Sequence, residues 1–418
     1  MRSLINQILI LSVLFALILV NAVLSADKQP ELGPPPGKYK MLTDNGRAEI
    51  PFTIYQGDIH FSAEINGHKV HMLLDDGYMW DQLLFWGSPK VDSFGFIYDG
   101  EVGVGGGSES DDALMSKTAS GITVTLPGGV EFSEQTAIIT PYSSGNSVMW
   151  SGSVGQFSAS FFKHFIVDIN FDKMILTLIE RDKFEYSGSG SEIPWKQSEF
   201  GIWIIPAKMN LADGREISLD FAMDLGYNTQ LEVKTYGENT IPVPKQALPK
   251  TFGRNIIGET TSGFLGRMPQ IEIGGYKIND AIVDYVDSKP GKQKTYECMV
   301  GLGLLSKFNL IFDFYGQRLI VEPNNSFAEL YEYNMSGLVM SKEENNYYTV
   351  HKVHKNSPAS ETGLKEGDKI SQINGKDASE YNRIELKTLF LQEGKTIKLR
   401  LLQNSAEKEV SIKLRRII

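Results

Sequence analysis

The chain alternates apolar and polar positions in short runs, the period-2 pattern of half-buried β-strands. Such runs fall at Ile50–Tyr55, Val70–Leu74, Ile122–Leu126, Phe165–Asn170 and Met174–Leu178, separated by Gly, Asn and Asp turns. Apolar residues at helical spacing are scarce before about residue 330. The pattern predicts an all-β region over roughly the first three hundred residues and a different module after it.

The strand pattern repeats. Asn66-Gly67 is a hairpin signal leading into Val70-His71-Met72-Leu73-Leu74-Asp75-Asp76-Gly77-Tyr78, and Asp213-Gly214 leads into Ser218-Leu219-Asp220-Phe221-Ala222-Met223-Asp224-Leu225-Gly226-Tyr227. Asp75 and Asp224 are 149 residues apart. Gly128-Gly129 and Gly274-Gly275, each predicted between short strands, are offset by 146, and the strands opening at Phe165 and Phe308 by 143. Three anchors in one order with so little drift indicate a duplication.

Each repeat ends an apolar strand on an aspartate, with a glycine two positions later that lets the backbone turn sharply. Packing of the two halves about a pseudo-twofold axis would set Asp75 opposite Asp224. Two carboxylates about 3 Å apart cannot both ionise and share a proton. Such a pair has one member to deprotonate a water and another to protonate a carbonyl oxygen.

These residues resemble the bilobal aspartic peptidases, particularly the retropepsin-like exported proteins of bacteria. The resemblance rests on apolar-apolar-Asp-x-Gly occurring twice. An apolar-Gly segment follows each copy (Met149-Trp150-Ser151-Gly152; Met299-Val300-Gly301-Leu302-Gly303), then a Phe-led strand, over roughly residues 47–325. It implies an all-β fold of two duplicated, barrel-like lobes of the acid-protease type, at 47–190 and 191–328. It also implies an aspartic endopeptidase with Asp75 and Asp224 as its dyad, acting on a polypeptide substrate without metal or organic cofactor. The family's glycine-rich flap corresponds to Gly103-Val104-Gly105-Gly106-Gly107, which as a sequence also reads as a surface loop.

The turns depart from the family pattern of aspartate, threonine or serine, glycine and a small residue. Here they read Asp75-Asp76-Gly77-Tyr78 and Asp224-Leu225-Gly226-Tyr227. The family hydroxyl hydrogen-bonds across the lobe interface; Leu225 has none, and Asp76 donates only when protonated. Two functional classes therefore stay open: an endopeptidase, and a catalytically silent protein that binds peptides in the same cleft.

From Tyr347-Tyr348-Thr349-Val350-His351-Lys352-Val353 onward the order is a strand, Ser357-Pro358-Ala359 opening a short helix, a Gly367-Asp368 turn, an Ile373-Asn374-Gly375 hairpin, a helix over Tyr381–Leu391 and a final hairpin over Thr396–Leu414. This string resembles a PDZ domain, expected over 329–418. The resemblance implies capture of an extended peptide at a sheet edge, with Gly337-Leu338-Val339-Met340 at the carboxylate-binding loop. The alternative is a module that only packs on the second lobe.

Composition narrows the partners. Formal net charge is −10, from 41 Lys and Arg against 51 Asp and Glu, so no nucleic-acid partner is expected. From residue 331 onward there are 15 Lys and Arg against 12 Asp and Glu, a net of +3; the acidity lies on the lobes. Cys298 is the single cysteine, which excludes an internal disulfide and a multi-cysteine metal site. No metal is expected from the six histidines (60, 68, 71, 164, 351, 354), and Ser153 has no evident partner constellation.

Met1–Ala26 carries one cation, an apolar run from Ile8 to Val20 and small residues at its end, which reads as a signal peptide. Residues 27–46, with Pro34-Pro35-Pro36, read as an extended linker. A monomeric protein exported to a periplasm or the cell exterior is expected, meeting a membrane only through an uncleaved leader.

Overall fold

A computed structural model describes residues 37–418 apart from 56, 78–81, 106–112, 142–151, 159–162, 199–200, 236–240, 255–259, 287–295, 343–346 and 404–405. The leader, linker residues 27–36, Tyr78, Gly106 and Gly107 lie outside the described residues. The fold is nearly all β, in sheets of 14, 8 and 6 strands.

Alternation sets the strands. In Arg47–Tyr55, Ala48, Ile50 and Phe52 are buried and their neighbours exposed; in Asp58–Ile65, Ile59, Phe61, Ala63 and Ile65 face inward. Asn66 and Gly67 both take positive φ, 50° and 83°, and close the two-residue hairpin into His68–Leu74.

The duplication is visible as matched topology. His68–Leu74 runs parallel to Gly155–Phe157, and Glu216–Asp224 runs parallel to Cys298–Gly301. Ala113–Leu126 and Thr260–Ile273 each have 14 residues, and their partners Val130–Thr140 and Tyr276–Val286 each have 11. The Gly128-Gly129 and Gly274-Gly275 turns therefore join long strands, not the short ones expected. The extra length comes from polar residues such as Ser116, Lys117 and Thr118, which lack an apolar run yet pair with Ile97–Gly105.

The two halves also share a sheet. Phe308–Asp313, late in the second half, pairs antiparallel with Ile166–Asn170 of the first, matching Ile166 with Asp313 and Ile169 with Leu310. One continuous apolar core runs through both halves, including Phe132, Phe165, Phe221, Leu225 and Phe312.

The C-terminal module has its own core of Leu338, Val350, Ile370, Leu386, Leu399 and others. Its sheet runs in the order Leu338–Lys342, Tyr348–Val353, Lys369–Ile373, Thr396–Gln403, Ala406–Lys413, with the short strand Lys376–Asp377 paired to Lys369–Ile373 off that order. Ser357 caps the short helix Pro358–Glu361 by accepting from the Ser360 N–H. The second helix, Arg383–Leu389, starts two residues later than expected because Asn382 caps it reciprocally with Glu385.

This module is tied to the second lobe by a charged cluster. Arg267 donates to Glu332 (2.8 Å), the Asp280 carbonyl (2.8 Å) and the Ile418 carbonyl (3.0 Å). Arg416 binds Glu332 and Asp280 from the other side. Lys352 Nζ also donates to the Pro249 carbonyl at 2.8 Å.

Candidate active site

Asp75 and Asp224 each follow the last buried residues of an apolar strand, Leu74 and Met223. The parallel neighbours fix those ends: the Asp75 N–H donates to the Phe157 carbonyl at 2.9 Å, and Asp224 is in register with Gly301. Both aspartates are half-buried, which leaves them reachable from solvent.

The structure brings the two turns together. A methyl group built on Gly77 would overlap the Asp224 carboxyl, and one built on Gly226 would overlap the Asp75 carboxyl. Each carboxyl thus lies over the glycine of the opposite lobe. Asp224 Oδ1 accepts the Gly226 N–H at 2.8 Å within its own turn. Burial, followed by the charges of Asp75 and Asp76, pushes the Asp224 carboxyl well above the usual carboxylate range.

Asp76 is 3% exposed, and its Oδ1 accepts the Leu225 N–H from the other lobe. Oδ2 of the same side chain is buried without a hydrogen-bond partner among the described residues. Leu225 is 0% exposed and belongs to the apolar core. This contact therefore runs one way: the Leu225 backbone N–H donates to the Asp76 side chain, and the Leu225 side chain returns nothing.

Tyr227 is half-buried, and its hydroxyl donates to Asp284 Oδ2 at 3.1 Å, while Lys250 Nζ holds Asp284 Oδ1 at 2.7 Å. The tyrosine in place of a small residue is thus an anchor for the second turn. Its counterpart Tyr78 lies outside the described residues.

Asp58 adds a further carboxyl beside Asp75. Burial and the Asp75 charge push it up to about 6. Nearby, Gly57 packs against Asn228, one residue past Tyr227. Asp58 and Asp75 stand one step past the Ile59–Leu74 pair of the Asn66-Gly67 hairpin, so the two-residue turn that sets the strand register also sets these two carboxyls near each other.

Gly103, Val104 and Gly105 end the strand Ile97–Gly105, paired with Ala113–Leu126. Val104 is buried against Leu84, Trp86 and Ile138. Gly103–Gly105 therefore belong to a paired strand, and Gly106 and Gly107 lie beyond the described residues.

Gly337 takes φ 78° and packs on Ser357, and Leu338, Val339 and Met340 lie in the edge strand. The Leu338 N–H donates to Ser336 Oγ at 3.1 Å. Ser336 Oγ donates in turn to Asn334 Oδ1 at 2.6 Å.

Among the remaining candidates, Ser153 does have a partner. It lies 3.0 Å from His60 Nδ1, and both residues are buried. His60 Nε2 has no hydrogen-bond partner among the described residues, so no carboxylate completes a triad. Cys298 is fully buried, and burial raises its thiol far above the ordinary value. Among the described residues no three His, Cys, Asp or Glu side chains are arranged to hold a metal ion. A surface cavity of about 600 Å³, lined by Ser62, Lys69, His71 and Lys90 among others, includes neither Asp75 nor Asp224.

The arrangement is two carboxyls facing across a lobe junction, one with a raised proton affinity, on backbone turns pinned from both sides. Chemically it can hold one proton between two carboxyls and leave the other carboxyl basic toward a water.

Comparison with known proteins divides along the chain. No curated protein matches it in sequence. Over most of its length the fold is similar to the crystal structure of an aspartic proteinase from Irpex lacteus, at 14% identity and a TM-score of 0.42, with 68% of this chain and 99% of that chain covered. Residues 337–414 match the family model of the PDZ domain.

Proposed function

We propose that this chain is an aspartic-type endopeptidase in which Asp75 and Asp224 activate a water for attack on a peptide carbonyl. One observation carries the reading: each carboxyl lies over the glycine of the opposite turn, a reciprocal placement that brings the two carboxyls together at the lobe junction. With a single proton between them, the ionised member takes a proton from water, and the protonated member donates to the carbonyl oxygen. No covalent enzyme intermediate forms, and the half-buried site keeps the charge in a medium of low polarity, where it acts strongly.

The hairpin Ile97–Gly105 with Ala113–Leu126 is the proposed flap over an extended polypeptide substrate. The PDZ module recruits or gates that substrate through its edge strand Leu338–Lys342. The lobes span 47–190 and 191–328 and the PDZ module 329–418. Export through the Met1–Ala26 leader as a monomer, to a periplasm or the cell exterior, completes the proposal.

One observation favours the silent, peptide-binding alternative: Leu225 has no side-chain hydrogen bond to return across the interface. A mixed peptide library separates the two. Incubated with the chain from residue 27 between pH 4 and 7, it is expected to be cleaved, and a hydroxyl-bearing transition-state mimic such as pepstatin is expected to block cleavage. Binding of peptides by folded protein with no cleavage at any pH supports the alternative and overturns the enzyme.

A further inference from the structure

We infer that Asp76 works as an uncharged latch, a positioning residue whose protonated carboxyl ties the first active-site turn to the second through the Leu225 N–H and so holds Asp75 and Asp224 in opposition. The dyad's catalytic role rests on the reading above; the latch and its proton stand on the geometry of Asp76 itself.

An ionised carboxylate only accepts hydrogen bonds and offers about four acceptor sites. Asp76 is 3% exposed, one of its oxygens meets the Leu225 N–H, and the other meets no donor among the described residues. A charge in that setting is left uncompensated, whereas a proton on Oδ2 removes it and leaves Oδ1 free to accept. The groups that act on it electrostatically are Asp75, adjacent in the chain, the Leu225 N–H and its own backbone N–H. Asp224 faces it from the second turn and feels it in return. Both charged neighbours are carboxyls, so both favour the neutral form. Burial, helped by Asp75, pushes Asp76 up to about 7.

A neutral carboxyl has what a hydroxyl has, an acceptor and a donor. At the equivalent position of the second turn stands Leu225, so no second side-chain latch acts in parallel. Between these two positions of the turns, the side-chain tie among the described residues is the one from Asp76.

Carbon-13 NMR of aspartate-labelled protein reads the proton directly. One carboxyl signal, absent from Asp76→Asn, is expected to stay protonated at pH 5.5 and to titrate near 7. A signal that titrates near 4 overturns the latch. In kinetics, Asp76→Ala is expected to lose about a hundredfold in kcat with little change in KM, the loss typical of a displaced catalytic group. Asp76→Asn keeps the acceptor oxygen and the neutral charge and is expected to recover most of that loss at pH 5. Its alkaline limb is expected to move upward. An Asn variant as poor as the Ala variant, with circular dichroism unchanged, overturns the positioning role. If the wild-type protein cleaves nothing, the peptidase reading falls, and the NMR titration still decides the latch.

Discussion

Gly226 sits directly under the Asp75 carboxyl, close enough that a methyl group on its Cα would overlap the carboxyl group. Gly77 has the same relation to Asp224. Neither glycine is in the left-handed region, so each is required for the space it leaves rather than for its backbone angles. Gly226→Ala and Gly77→Ala are expected to cost about 1–3 kcal/mol by overpacking and to lower kcat by about a hundredfold by moving a carboxyl. Gly67→Ala is the control. Gly67 has φ 83° and nothing within 4 Å of its added carbon, so about 1 kcal/mol of stability is lost and the activity persists. Kinetics and thermal unfolding of the three variants check this.

Stability is expected to fall as pH rises from about 4 to 7. Asp58 and Asp76 are pushed up to about 6 and about 7, and Asp224 well above its ordinary value. In that window the folded state holds protons that the unfolded chain has released, so the unfolding free energy declines with pH. For buried Asp76 alone the displacement corresponds to about 4 kcal/mol as an upper figure. Urea unfolding at pH 4.5 and 7.5 measures it. Asp76→Asn should flatten the dependence, and a wild-type stability that rises over this range contradicts the assignment.

The attachment of the PDZ module is expected to depend on Glu332. Its carboxylate lies between Arg267 and Arg416, and the Arg267 side chain is only 11% exposed. Glu332→Ala leaves two guanidiniums facing each other with Asp280 as their remaining shared carboxylate, at a cost of about 1–3 kcal/mol. The full-length variant should unfold in two separated steps and be nicked faster by protease near residues 329–336. Nicking at the wild-type rate would show that the cluster does not hold the module.

What the sequence made legible was local or repeated. The Asn66-Gly67 turn, the alternation in Arg47–Tyr55 and the doubled Asp-x-Gly each need only a few neighbouring residues, and the 149-residue offset between Asp75 and Asp224 aligned the halves. The PDZ string was legible for the same reason, since Ser357 and Asn382 act on their own helices. Contacts between distant segments were legible only where the repeat pointed to them, as with Asp75 and Asp224. The pairing of Ile166 with Asp313 depends on both halves contributing to one sheet. Ser153 reaching His60 and Arg267 reaching Ile418 join residues 93 and 151 positions apart. Polar side chains carry no periodicity that marks a partner, so only the folded arrangement reveals them.

If Asp75 and Asp224 together perform hydrolysis, as proposed, neither carboxyl can be replaced by an amide without loss of activity. The most direct measurement is kcat/KM for the best-cleaved library peptide at pH 5 with wild-type protein, Asp75→Asn and Asp224→Asn, each verified as folded by circular dichroism. The account predicts a loss of at least about a thousandfold in both variants, since each carboxyl supplies a proton-transfer role that an amide cannot. Either variant retaining activity within about tenfold of wild type would contradict it.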